Sequence, residues 1–492
     1  MTRFGKDPRP LTEICSQAAE EALNASSQHD VDAIYIGVMN PEEFTGDSNI
    51  ASQIADALGL TGIPAIRIET ASSAGAAAIQ AGFQAIASGY YRRVLVIGGE
   101  KMTHLSTSAT TRILAEVIDK QERQCGATMP ALAAMITEKY RQKYRLSQSR
   151  LENMLCSVAL KNHLNGSHNP LAQFQKAIKR EAYFASKFVA TPLRLYDCSP
   201  ITDGAAALVL TGEKTDVRLA GIGQGTGPLS LRERDTFTSF PATQIAAARA
   251  YQMAGVSPQS IDFAEIHDAF TPFEIITSED LGFFPPGKGG EAALDGKTAL
   301  GGSLPINPSG GLKARGHPVG ASGLAQIVEV TKTLRGQSHA KRAFQRGLTQ
   351  STGGLGTNNF VTILERSDAV QKGPATAFPM PTIAVHKKSQ PPRASDEGEI
   401  ETFTILYVTP DGFLPPLALA LVRQRNGRLI MAQGEDSEHL KIGREVYLRR
   451  TDDYCLFTVK SQLQKVQESL KKLLRRKPSS PAQGQSQMDD KS

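Results

Sequence analysis

Four short segments bring nucleophilic or proton-transferring side chains together with backbone that exposes N–H groups. In Glu69-Thr70-Ala71-Ser72-Ser73-Ala74-Gly75 a hydroxyl side chain follows an expected strand and opens an expected helix. Free N–H groups at a helix start polarise an acyl oxygen and lower the pKa of a nucleophile. A serine in that place is also the usual helix N-cap. In Glu265-Ile266-His267-Asp268-Ala269-Phe270 an expected strand over 261–266 ends on His-Asp. A histidine there donates a hydrogen bond, moves a proton near neutral pH or serves only the fold. The third segment is Ile306-Asn307-Pro308-Ser309-Gly310-Gly311-Leu312-Lys313-Ala314-Arg315-Gly316-His317-Pro318. Glycines gathered round one histidine mark a loop whose backbone approaches another group closely. Pro318 suits the first turn of the helix that follows. Ser351-Thr352-Gly353-Gly354-Leu355-Gly356, ahead of a closing strand over 360–364, again offers a hydroxyl and N–H groups. It lacks the Lys-Ser/Thr step of a phosphate-binding loop.

Regular elements must hold these segments. Residues 1–365 alternate helical patterns (Leu11–Leu23, Ala76–Ala87) with short apolar runs (Ala33–Val38, Val94–Gly98). That alternation predicts an α/β fold with a largely buried sheet. Residues 120–195 read as a polar helical insertion over one face. The small-residue helix start at Ala71–Ala76 is echoed by Gly316–Gly323, which suggests two similar halves packed together. A Pro-rich, aperiodic stretch over 367–399 reads as a linker. Short strands at Ile400–Val408, Leu417–Arg423, Arg428–Gln433 and Arg444–Leu448, split by turn residues, suggest a small β-barrel. Leu463, Val466, Leu470, Leu473 and Leu474 predict a basic amphipathic helix over 461–477, with a disordered polar tail after it.

Composition removes several classes of function. The 492 residues are 40% apolar and 21% charged, which excludes disorder along most of the chain. Five scattered cysteines are too few for a disulfide scaffold and show no metal-ligand spacing, so no metal is expected. No apolar run reaches about 18 residues, and no apolar leader follows Met1. The expectation is a cytoplasmic protein without stable membrane insertion. The net charge of +6 lies mostly in residues 461–492, with 7 basic against 3 acidic side chains. A folded part without a basic stripe argues against nucleic acid as a partner.

The four segments, in this order, resemble the thiolase superfamily. The resemblance is closest to the sterol-carrier-protein-associated and archaeal branch, where a His-Asp-Ala-Phe type motif stands in place of Asn-Glu-Ala-Phe. It covers about residues 1–366, and the Gly316-His317-Pro318 loop is its most specific part. Gly347–Gly356, Cys198–Ala207 and Lys161–Pro170 add to it. It implies five layers, α-β-α-β-α. An N-terminal half over 1–215 would carry the 120–195 insertion, and a C-terminal half would span 216–366. Residues 400–460 resemble the thiolase-associated OB-fold domain, usually a separate chain and here fused. That domain often follows a Cys-ligated zinc ribbon, whose cysteines are absent here. The family's first strand has no counterpart ahead of Thr2-Arg3-Phe4-Gly5. Loss of a central strand would leave unpaired backbone groups.

The resemblance also implies roles. Ser72 stands where the family has its acyl-accepting Cys. His317 stands where a histidine deprotonates that nucleophile and lines an oxyanion hole. His267 would bind the thioester oxygen of the second substrate. Ser351 stands where a second Cys moves the proton on the substrate carbon. The N–H groups of Ser72 and Gly353 would form the other oxyanion hole. Asn307, Gly316 and Gly354 belong to the substrate and CoA loops. Both serines matter, because a thiol with a pKa of about 8.5 is partly ionised near neutrality and an alcohol is not. Three functions follow. The first is acyl transfer, with C–C bond formation or cleavage, on a CoA thioester, of the acetyl-CoA acetyltransferase type with Ser72 as acceptor. The second is retro-aldol cleavage of a β-hydroxyacyl-CoA without an acyl-enzyme. The third is a non-catalytic acyl-CoA binder that docks a pathway enzyme through the OB-fold. A homodimer is expected from the family's habit, with a CoA thioester as substrate and no further cofactor.

Overall fold

The computed structural model describes residues 1–26, 30–369, 378–380, 395–435, 437–438 and 440–461. The predicted helix over 461–477 and its tail fall, beyond Ser461, outside the described residues, as does most of the predicted linker.

The first half runs α1 (Leu11–Ala25), β1 (Ala33–Gly37), α2 (Ile50–Ala57), β2 (Ala65–Ile68), α3 (Ala74–Ala87) and β3 (Arg93–Glu100). An insertion follows, with α4 (Met129–Lys143), α5 (Gln148–Ser167) and a small hairpin of β4 (Phe188–Ala190) and β5 (Leu193–Arg194). Then β6 (Gly204–Thr211) closes a sheet of order β2-β1-β3-β6, with β6 antiparallel to β3. The second half supplies β7 (Val217–Thr226), α6 (Pro241–Ala254), β8 (Phe263–Ile266), α7 (Thr271–Asp280), α8 (Gly311–Arg315), α9 (Val319–Leu334), β9 (Arg346–Gly353) and β10 (Asn358–Arg366). Its sheet has the order β7-β10-β9-β8.

The apolar runs of β1 and β3 are explained by two covered faces. Ile34, Ile36, Leu95 and Ile97 pack with Leu11, Ile14, Ile50 and Ile54 of the outer helices. Ala33, Val94 and Val96 point the other way, onto Ala78, Ile79, Leu324 and Ile327 of α3 and α9. These two helices form the layer between the sheets, and α6 lies outside the second sheet. The result is the expected five layers. Small residues let the central helices approach the strands. A Cβ on Gly75 would lie 2.6 Å from the Gly320 carbonyl oxygen, and one on Gly320 would lie 2.4 Å from that of Gly99.

The position β7 takes beside β10 has no described strand beside β6 in the first half. Among the described residues, Thr2 and Gly5 reach the start of β6 and the residue before it, through Thr2 N–H to Ala205 O (2.9 Å) and Gly5 N–H to Asp203 O (3.1 Å). That position is an edge of the sheet. The expectation of a gap in the sheet's centre is therefore corrected: β1 and β3 have partners on both sides.

The C-terminal strands are β11 (Glu397–Leu406), β12 (Leu417–Gln424), β13 (Leu429–Gly434), β14 (Glu445–Arg450) and β15 (Cys455–Val459). They pair in the closed order β11-β12-β13-β15-β14-β11, with β13 parallel to β15, which is an OB-like barrel. One face of β12, with Ala418, Ala420 and Val422, fills the barrel. The other, with Leu417, Leu419 and Leu421, packs with Leu132 and Met135 of α4. Thr402 Oγ1 donates to Met135 O (2.9 Å), and Lys139 pairs with Glu401 (2.7 Å). The barrel is thus docked on this chain's own insertion. β15 is a fifth strand beyond the four expected from the sequence.

Candidate active site

Ser72 lies on the short turn between β2 and α3. Its neighbour Ala71 has φ 56°, a left-handed conformation that a non-glycine residue adopts only under constraint. The N–H of Ala71 donates to the Glu69 carboxylate, and Ser73 Oγ donates to Thr70 O (2.7 Å). Ser73, not Ser72, precedes the first helical residue, and no side chain caps the helix. The N-cap alternative for Ser72 therefore does not describe this turn. The rigid turn leaves Ser72 half-buried between buried Ala71 and Ser73.

Gly353, at the end of β9, backs onto the same turn. A Cβ there would sit 1.9 Å from Thr70 O and 2.5 Å from Ser73 Oγ. Ser351, two residues earlier, is buried, and its Oγ has no hydrogen-bond partner. It faces the central layer: a Cβ on Gly323 of α9 would lie 2.8 Å from Ser351 Oγ and 2.8 Å from Ala76 N.

His267 and His317 meet edge to face, with ring centroids 5.1 Å apart at 89°. Their hydrogen bonds assign their neutral tautomers. His267 Nδ1 accepts from Thr352 N–H (3.3 Å), so its proton is on Nε2. His317 Nδ1 is 2.7 Å from Ser322 Oγ, and that hydroxyl donates to Pro318 O (2.8 Å). Ser322 therefore accepts from His317 Nδ1–H, which leaves the Nε2 lone pair of His317 free. One ring presents a donor and the other a base. Burial holds both rings neutral. His317 is pushed down to about 3, with Arg315 adding to the effect, and His267 is pushed well below its usual value.

The remaining loop residues are braces in this structure. Asn307 has φ 55° and is fully buried. Its Oδ1 accepts from Ile266 N–H (2.8 Å), and its Nδ2 donates to Glu274 (2.8 Å). Gly316, with φ 114°, packs against Thr202 and Phe4, and Gly354, with φ 63°, lies beside Thr357. All five cysteines are free thiols. Burial raises every one, with Cys125 and Cys198 pushed up to about 12 and Cys156 to about 11. Among the described residues no group of three or more His, Cys, Asp or Glu is placed to hold a metal. No helix among them is long and apolar enough to cross a membrane.

Sequence reasoning missed Ser322, Thr352 and Gln350, which orient the two histidines. Ser322 stands five residues after His317 at a helix start, a spacing that signals only a local contact. Gln350 and Thr352 adjoin Ser351 in a strand, but their alliance with His267 is tertiary.

The arrangement matches a known family along most of the chain. The thiolase N-terminal domain matches residues 1–214, and the thiolase C-terminal domain-like family matches residues 223–366. An acetyl-CoA acetyltransferase of Methanothermobacter thermautotrophicus is 41% identical over 346 residues, 68% of this chain and 89% of that one. This chain belongs to the thiolase family. Two solved structures share its thiolase fold. A monomeric SCP2-thiolase-like protein type 1 from Mycobacterium smegmatis superposes with a TM-score of 0.68 at 17% identity, covering 93% of this chain and 98% of that one. An Ltp2–ChsH2(DUF35) aldolase superposes with a TM-score of 0.63 at 22% identity, covering 75% and 96%.

Proposed function

We propose that this thiolase acts on CoA thioesters by acyl transfer, with Ser72 as the acyl acceptor. The observation that carries the reading is the facing pair of neutral histidines in complementary tautomers. His317 Nε2 takes the proton of Ser72 as its Oγ attacks the thioester carbonyl. The N–H groups of Ser72 and Gly353 receive the developing oxyanion. CoA leaves as the thiol, carrying the proton back from His317. A second thioester, its oxygen held by His267 Nε2–H, then loses an α-proton, and its carbon attacks the Ser72 ester; the C–O bond to Ser72 breaks and the departing Oγ takes up a proton, so that the proton count is restored. Ser351 lies near the site without a bonded partner and has the family's place for moving the substrate-carbon proton. Asn307, Gly316 and Gly354 shape the loops that admit the CoA thioester. The scheme needs no cofactor besides that substrate. The unpaired cysteines fit a cytoplasmic setting.

A second reading is favoured by the two serines themselves. Retro-aldol cleavage of a β-hydroxyacyl-CoA needs a base and a hole for the enolate oxygen, and no acyl-enzyme. The base and the donor are both present in the histidine pair. Incubation with radiolabelled acetyl-CoA decides between the two. Acyl transfer predicts covalent label on Ser72, lost in Ser72→Ala together with turnover. Turnover that survives in Ser72→Ala without any label overturns it in favour of the lyase. The absence of turnover with any acyl-CoA leaves only binding.

The same reading includes a homodimer. Among the described residues β2 pairs only with β1, which leaves its outer edge without a strand, and Ile66 on it is 51% exposed. An open edge strand is a template for a second copy, and this one leads directly to Ser72. Ile66→Asp is expected to convert a dimer to monomer in analytical ultracentrifugation. A native protein that sediments as a monomer contradicts the dimer.

A further inference from the structure

The insertion does more than cover one face of the molecule. Helix α5 turns residues 162, 165 and 166 toward the loop that leads to His317, and Asn169 follows just beyond its end. Asn162 Nδ2 donates to Asp268 (2.7 Å) and to Glu274 (2.8 Å), so both of its protons are committed. Lys161 Nζ donates to Asn162 Oδ1 (2.6 Å) and Ile306 O (2.6 Å) and pairs with Glu274 (2.9 Å). Asn165 donates to Asn307 O (2.9 Å), and Asn169 donates to Ser309 O (3.1 Å). Gly166 is in direct contact with the loop: a Cβ on it would lie 2.8 Å from Ala314 Cβ.

Asp268 is the hinge of this network. It follows His267 directly, and its carboxylate accepts from Leu312 N–H (2.6 Å) and Lys313 N–H (3.3 Å) of α8. Helix α8 ends at Arg315, two residues before His317. One carboxylate therefore ties the end of β8 to the approach to His317, and Asn162 fixes that carboxylate. Gly311 is required here, because a Cβ would lie 2.4 Å from Asp268 Oδ2.

We propose that Asn162 is a positioning residue which, through Asp268, sets the mutual geometry of His267 and His317. The insertion helix is thereby part of the machinery that aligns the donor with the base. The network also contains two carboxylates, Asp268 and Glu274, and one lysine. Asp268 is pushed up to about 7 by burial and by Glu274. The bonds from Asn162 relieve two carboxylates that share one amide group.

The inference rests on the histidine pair being the reaction centre, and its test does not depend on turnover. The full chain is labelled at histidine Cε1 with carbon-13, and His267 and His317 are assigned by His→Gln variants. Both rings are surrounded by Arg315, by each other, by Ser322 and by the Thr352 backbone, with Asp268 adjoining His267. In the native protein both signals are expected to stay those of neutral rings from pH 8 to pH 5. In Asn162→Ala, with unchanged far-UV circular dichroism, both signals shift and at least one midpoint rises by a unit or more as the rings loosen and hydrate. Asn162→Ser, which keeps one donor, is expected to fall between. Gly166→Ala pushes on α8 and is expected to move His317 more than His267. It supplies the same readout if both Asn162 variants fail to fold. A folded Asn162 variant with native signals and midpoints for both histidines overturns the proposal. So does a Gly166→Ala variant without effect on His317, should it be the only one to fold. Native histidine signals together with absent turnover would separate a failed reaction assignment from a failed positioning role.

Discussion

His317→Ala lowers turnover of a CoA thioester about 10³-fold, equivalent to about 4 kcal/mol of barrier. The size follows from what Ser72 needs. An alcohol is not ionised near neutrality, so its nucleophilicity depends on proton removal during attack. In the proposed reaction the base is the free Nε2 of His317, whose ring is held through Nδ1–H to Ser322. The retro-aldol reading makes the same demand, since a β-hydroxyl must also lose its proton. Steady-state rates with matched thermal melting curves check this result. A variant that keeps a tenth of native turnover would remove His317 from the base role. The pH profile gives a second readout. A base acts above its pKa, and burial lowers that of His317 to about 3. The lowered value extends the active, neutral form toward acid. The acid limb of kcat/KM should therefore show no His317 fall near 6.5, the ordinary histidine value. A limb at about 6.5 that disappears in His317→Ala would show a solvated ring instead.

Gly353→Ala lowers turnover about 10²-fold while the fold persists. The new Cβ would fall 1.9 Å from Thr70 O, and backbone cannot give way as a flexible side chain can. The turn that carries Ser72 or the end of β9 must shift by about 1 Å, a displacement that costs of the order of 10²-fold in rate. Overpacking adds about 1–3 kcal/mol of destabilisation. Gly46→Ala is the control, because Gly46 has φ 81° and no atom within 4 Å of the added Cβ. It carries backbone strain without touching the site and should leave turnover unchanged. Equal losses of rate in the two variants would mean that Gly353 acts only through stability.

The fold class was legible because periodicity and burial agree. β1 and β3 are apolar on both faces, and both faces are covered by helices. The small-residue starts of α3 and α9 marked the duplication, and the structure shows why: α9 approaches the backbone of both α3 and β3 at Gly320. The barrel was legible from its turns, though β15 was not marked. The run of apolar residues in β12 had two meanings in sequence, and only docking on α4 separates the barrel side from the outer side.

The candidate side chains Ser72, His267, His317 and Ser351 were legible by type and local pattern. Their state was not. A histidine in sequence has an ordinary pKa and two tautomers. Burial and the partners Ser322 and Thr352, brought from elsewhere in the chain or from the next helical turn, select one of each. The insertion read as a cover because its asparagines and lysine look like a solvated face. Asn162, Asn165 and Asn169 are buried, and they donate to partners more than 100 residues away.

The sequence by itself determined the two-half α/β plan and the fused barrel, because these depend on residue type and short-range spacing. Only the tertiary structure decided the tautomer of each histidine, that the open position in the first sheet is an edge, and that the insertion braces the loops carrying the two histidines. Each of these depends on contacts between distant segments, where burial and hydrogen-bond partners set the chemistry that a side chain can do.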